Sequence, residues 1–211
     1  MSAQVAAHGV SASDQDLITQ GRQLAVFIYL GAKHMVTGYD HLLFLLGVIF
    51  FLYRLKDILL YVSLFTVGHS LTLLGGALGG IRADAYVVDA VIGLSVVYKA
   101  FENMGGFRAV GLQPNTRIAV LLFGLVHGFG LATKLQEYAL SRNGLVTNII
   151  SFNVGVEIGQ FLALTAVLLA LGYWRTRAGY LRHAYMANAA LMTAGFVLTG
   201  YQLAGYFVGP R

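Results

Sequence analysis

The chain has 211 residues, 57% of them hydrophobic and only 11% charged, with a mean hydropathy of +0.71. A soluble domain carries about 25% charged residues, so the composition excludes one and describes a polytopic membrane protein. The net charge of +5 would suggest nucleic acid in a soluble domain, but here the lysines and arginines fall mainly between apolar runs, where they read as topology and anionic-lipid contact. Zero cysteines exclude disulfides, thiolate metal sites and cysteine nucleophiles.

Residues 1–23 are expected to form a short tail ahead of a transmembrane domain over 24–208. The opening MSAQVAAHGVSASDQD lacks the apolar centre of a signal peptide. Val5-Ala6-Ala7 before His8 nevertheless has the small-residue pattern of a signal-peptidase site, which leaves a longer natural precursor open.

Six apolar runs follow: Leu24 to Leu52, Ile58 to Leu78, Ala85 to Ala100, Ile118 to Leu135, Val146 to Leu171 and Ala184 to Val208. Each approaches the roughly 20 residues needed to cross a bilayer as a helix, the third being short. The runs do not alternate with period two, so the expected fold is all-α, a six-helix bundle. The first, third and fifth loops hold Arg54, Lys56, Lys99, Arg108, Arg117, Arg175, Arg177 and Arg182. The opposite side holds Arg22, Arg82, Lys134, Arg142 and Arg211. Eight against five places both termini outside, in the periplasm of a bacterial inner membrane.

Ionisable side chains inside such runs are expensive and mark function by default. His34, His41, His69 and His127 lie in them, and so do Asp40, Asp89 and Glu157. Imidazole and carboxylate together suit first-row transition metals. His34 and His41 are seven apart, so a straight helix brings both to one side within about 20°. Placing helix midpoints at the bilayer centre puts His41, His69, His127 and Glu157 within roughly 5 Å of one layer at 1.5 Å per residue. His34 and Asp89 fall slightly outward and fit a supporting role, a further metal position or an access step. Lys33, near the same level, is expected to turn away from His34, because an ammonium repels a cation. His8 and His183 lie outside the membrane.

The expected metal ligands are therefore His34, Asp40, His41, His69, His127 and Glu157. Ser70, Asn153 and Gln160 are candidates for orienting the imidazoles. A polar network that only ties helices together is the bland alternative. Glycines accompany the polar positions, as in Gly38-Tyr39-Asp40-His41, Gly68-His69 and His127-Gly128. Close helix packing explains them, and such packing also brings ligands on neighbouring helices to one ion. Phe65 and Phe123 each precede a histidine by four residues, an echo too short to indicate duplication.

At His34-Met-Val-Thr-Gly-Tyr-Asp-His-Leu-Leu-Phe44, Phe65-Thr-Val-Gly-His-Ser-Leu-Thr-Leu73, Phe123-Gly-Leu-Val-His-Gly-Phe-Gly-Leu131 and Phe152-Asn-Val-Gly-Val-Glu-Ile-Gly-Gln160, the chain resembles the HupE/UreJ family over nearly its whole length. The resemblance implies a small inner-membrane permease for a transition metal, nickel in the hydrogenase- and urease-linked members and cobalt or other metals in some relatives. Hydrogenase-linked members carry His-Pro in the first motif. Met35 stands in that proline's place here, so the identity of the metal does not carry over.

Three functions remain open on the residues. The leading one is a permease for a divalent transition metal (Ni, Co, Zn, Cu or Fe). The others are a membrane-embedded metalloenzyme, with zinc-activated water or a dinuclear iron or copper centre, and a metal-binding accessory subunit of a membrane complex. Expected partners are the metal ion, lipid and other membrane helices, including further copies of the chain.

Overall fold

The computed structural model describes residues 23–137 and 144–208. The expected tail, Gln23 apart, and His8 lie outside the described residues. Among the described residues there are eight helices and no strand: α1 (Leu24–Thr37), α2 (Tyr39–Ile49), α3 (Leu55–Gly79), α4 (Ala85–Asn103), the single turn α5 (Gly106–Ala109), α6 (Thr116–Glu137), α7 (Leu145–Arg175) and α8 (Tyr180–Val208). The all-α class is as the composition indicates. Four of these helices are long and apolar enough to cross a membrane: α3, α6 over Thr116–Thr133, α7 and α8. Helix α4 is 19 residues long but carries Asp89, Lys99 and Glu102, which set it apart from those four.

The first apolar run departs from expectation. Leu24 to Leu52 is not one straight helix but two, of 14 and 11 residues, broken at Gly38. Gly38 sits at φ −73°, ψ 90°, an extended conformation, and serves as C-cap of α1 and N-cap of α2. Its N–H donates to the His34 carbonyl at 2.8 Å, closing α1, and its own carbonyl accepts from Leu42 N–H, opening α2. A Cβ here would lie 2.9 Å from the His34 oxygen and 3.2 Å from Nδ1 of His41. The missing side chain thus lets the break form directly against the imidazole.

The remaining helices associate mainly as three pairs: α1 with α7, α3 with α6, and α4 with α8. No hydrophobic effect drives helices together in lipid, so backbone approach through small residues matters more. In the α3–α6 pair, Gly124 backs onto the Phe65 carbonyl and Gly128 onto the His69 carbonyl, and the Thr72 hydroxyl donates to the Leu125 carbonyl at 2.7 Å. In the α1–α7 pair, Gly155 backs onto the Ile28 carbonyl. The contacts advance together along both chains in these two pairs, which are parallel.

Helix α2 lies inside this frame and touches α1, α3, α4, α7 and α8. Asp40, His41, Phe44, Leu45, Gly47, Val48 and Ile49 are all buried, so it is enclosed nearly all round, as a helix apolar on every side must be. Its last carbonyls have no partner within the helix. Arg175 supplies one: Nη2 donates to the Ile49 and Phe50 carbonyls at 3.0 and 2.7 Å, and the guanidinium also lies 4.3 Å from the Tyr53 ring. Hydrogen bonds to a charged donor are worth about 1.5–3 kcal/mol. Arg175→Met is therefore expected to lower stability by about that amount in detergent unfolding; an unchanged midpoint would show that the α2 terminus needs no cap.

Candidate metal centre

Helix α2 begins at the Gly38 break, which places Asp40 and His41 in its first turn, deep between the helix pairs. His41 is 1% exposed and Asp40 3%. Asp40 Oδ1 accepts the His41 backbone N–H at 2.8 Å and pairs with His41 Nδ1 at 3.0 Å. A carboxylate only accepts, so Nδ1 carries the hydrogen and the lone pair is at Nε2. This carboxylate–imidazole arrangement fixes the orientation and tautomer of the ring.

His127, on α6, is prepared in the same way by a different partner. Its Nδ1–H donates to the Phe123 carbonyl one turn earlier, at 2.7 Å, which again places the lone pair at Nε2. His69, on α3, is 1% exposed. Neither of its ring nitrogens has a hydrogen-bond partner among the described residues. A buried polar group without a partner costs about 1–3 kcal/mol and needs an explanation. An ion shared with its neighbours would supply one.

Those neighbours are close. One ring nitrogen from each of His34, His41 and His69 lies within 4.8 Å of the other two. The His41 ring centroid is 5.1 Å from that of His34, 5.8 Å from His69 and 4.8 Å from His127. Two donors on one tetrahedral ion at about 2.0–2.1 Å stand roughly 3.3 Å apart, which is within the 4.8 Å limit of this set. Rings from α1, α2 and α3 thus converge, with α6 contributing a fourth beside His41. His34 and His41 meet across the Gly38 break, not along one continuous helix face.

Asp89, on α4, is 9% exposed and lines a narrow cavity with His34, His41, His127, Ile92, Gly130 and Leu131. It brings a carboxylate to the same enclosure. Lys33 directs its ammonium over the Tyr29 ring, 5.9 Å from the centroid.

Glu157 is placed elsewhere. It is exposed on α7, while Phe152 of that helix packs against His34 with centroids 5.9 Å apart. Gln160 donates to the Thr66 hydroxyl at 2.9 Å, tying α7 to α3 without touching an imidazole. Among the described residues no hydrogen bond joins Ser70, Asn153 or Gln160 to a histidine; Asp40 and the Phe123 carbonyl orient the rings instead.

A collar of aromatic rings was not legible as part of the site. Phe44 lies 5.3 Å from His127, and Phe65 lies 5.1 Å from His127, 6.1 Å from His69 and 6.2 Å from His41. Phe44 and Phe65 are 0% and 1% exposed. The spacing of Phe65 to His69 and Phe123 to His127 is the available signal: four residues is one turn, so each phenylalanine sits under its histidine. Such a lining excludes water and keeps the local dielectric low, which strengthens any ion–ligand interaction inside.

Because the Asp40 carboxylate acts through His41, Asp40→Asn is expected to weaken metal binding by about 10–100-fold while leaving the fold intact. Competition titration with a chromogenic chelator measures this. Unchanged affinity would show that the pair does not tune a ligand.

Compared with known families, residues 11–209 match the family model described as HupE / UreJ protein. No curated protein and no solved structure matches the chain.

Proposed function

The chain belongs to the HupE/UreJ family, and from that premise we propose that it is an integral-membrane permease that moves a divalent, nickel-like transition metal through the bundle. The observation that carries this reading is the convergence of His34, His41 and His69 within 4.8 Å, in an interior whose surroundings are aromatic and aliphatic. Asp40 and Asp89 offset the charge of the ion, and His127 extends the ligand set toward α6. Several positions in sequence suit conduction better than one deep trap, since an ion must also leave.

The broken α1–α2 segment, α3, α4, α6, α7 and α8 serve in this reading as six spans. Gly38 lets the first span change direction at the site, the kind of interruption that places ligands at mid-depth in transporters. The bias of lysine and arginine toward the α2–α3, α4–α6 and α7–α8 ends, from which Lys99 drops out because it is buried within α4, supports a cytoplasmic position for that end and periplasmic termini in an inner membrane.

Purified protein in liposomes containing a metal-sensitive dye tests the proposal. Externally added Ni²⁺ is expected to enter protein-containing vesicles and not empty ones. A folded, reconstituted protein that admits none of the divalent transition metals contradicts the permease. If the same protein also retains a stoichiometric metal through dialysis, a resident metal and hence the metalloenzyme reading is favoured.

A further inference from the structure

A polar group lies at the other end of an aromatic column that starts at the histidines. Phe44 lies between His127 and Phe123, tilted against the first and edge-on to the second, with centroids 5.3 and 5.7 Å away; Tyr98 follows Phe123 at 5.2 Å and Phe107 follows Tyr98 at 4.8 Å. Tyr98 is one helical turn before Glu102 on α4. Beyond these rings lies a cavity of about 660 Å³ lined by Glu102, Asn103, Phe107, Arg108, Gln113 and Thr116, among others.

Glu102 is fully engaged there. One carboxylate oxygen pairs with the Lys99 ammonium at 2.5 Å, and the other accepts from the Thr116 hydroxyl at the start of α6. Lys99 is 7% exposed. Its stem runs against α2 where residue 47 is glycine: a Cβ there would lie 3.1 Å from Lys99 Cγ. The stem thus passes beside α2, and the ammonium pairs, three residues further along its own helix, with a carboxylate that borders the cavity. A buried ion pair is weak grounds for stability, since apolar replacements of similar volume are often neutral or better.

We propose that Glu102 is the carboxylate that receives the cation beyond the aromatic column, and that the Lys99 ammonium is a tethered occupant of that cation position which the metal displaces. The proposal rests on the permease reading for its cargo. A carboxylate with a built-in competitor binds a divalent ion weakly, which is what the releasing end of a conduction path requires after a histidine-rich site that binds strongly. A divalent ion competes with the single charge of the ammonium at the same oxygens. Removing the ammonium while keeping the carboxylate then converts a transient position into one that retains metal.

The test compares the wild type with Lys99→Met, Glu102→Gln and the neutral double variant. Equilibrium dialysis against Ni²⁺ gives the number of ions bound, and proteoliposomes give the flux. Lys99→Met is expected to hold one more equivalent than the wild type, and the double variant to return to the wild-type number. Glu102→Gln and the double variant are expected to keep the wild-type number while their flux falls tenfold or more. Equal metal content in Lys99→Met and the wild type overturns the proposal, as does wild-type flux in the double variant, which would make the pair structural only. If the wild type carries no flux, the permease reading fails separately, and the extra equivalent in Lys99→Met still decides whether Glu102 is a cation position.

Discussion

Replacing His41 by alanine is expected to abolish both metal retention and metal flux, the largest effect of any single side-chain change in the protein. Among the described residues His41 is in ring contact with His34, His69 and His127, at centroid distances of 5.1, 5.8 and 4.8 Å. It is also the ring that Asp40 orients. Losing an orienting partner costs about 10–100-fold in affinity, so losing the ligand that links the set exceeds that range. The same substitution leaves Asp40 buried without the imidazole it pairs with, so part of the loss appears as instability. His41→Gln, which keeps bulk and polarity, separates the two effects: it is expected to recover stability and not metal. Wild-type metal content in His41→Gln would remove His41 from the ligand set.

The second large effect comes from a residue that touches no metal. Gly128→Leu is expected to separate α3 from α6 at the level of the site, because a Cβ at this position runs into the His69 carbonyl and the Thr72 hydroxyl. Overpacking of this kind costs about 1–3 kcal/mol and sometimes more. Here the displaced backbone is that of His69 itself. The expected result is a lower unfolding midpoint together with at least a tenfold loss of metal affinity, with every ligand still present. Gly75→Leu, on the partner helix α3, provides the control, since nothing lies within 4 Å of a Cβ there. If Gly128→Leu bound metal like the wild type, the close approach of α3 and α6 would be irrelevant to the site.

These two positions show what was legible in the residues and what was not. The depth of a histidine along an apolar run can be counted, and the count brought His41, His69 and His127 to one layer, where the structure also groups them. Rotation about a helix axis is another matter. Helix α7 is apolar almost all round over 31 residues, so no face is marked, and Glu157 at the right depth is nevertheless turned outward. A straight helix with a seven-residue interval sets His34 and His41 on one side but two turns apart, whereas the rings meet across a break. Nothing distinguishes Gly38 from the many glycines that serve packing until the backbone is seen, because glycine is common in membrane helices. The orienting groups were hidden for a related reason: a backbone carbonyl such as that of Phe123 has no signature in a sequence, whereas Ser70, Asn153 and Gln160 do.

Asp89 illustrates the middle case. Its type and depth marked it as a carboxylate on the outward side of the layer, and the cavity it shares with His34, His41 and His127 depends on how α4 packs against α6. Lys99 and Glu102 stand at the far end of the same helix. A run that carries charge at both ends of one span reads as a poor membrane segment by composition. Folded, it supplies a polar group on each side of the aromatic column.

X-ray absorption at the metal edge of Ni²⁺- or Zn²⁺-loaded protein tests the account at its centre. Three or more imidazoles at about 2.0–2.1 Å, with the outer-shell scattering of histidine rings, are the predicted result. A shell of oxygen donors without histidine scattering would contradict it, because His34, His41 and His69 would then not share an ion.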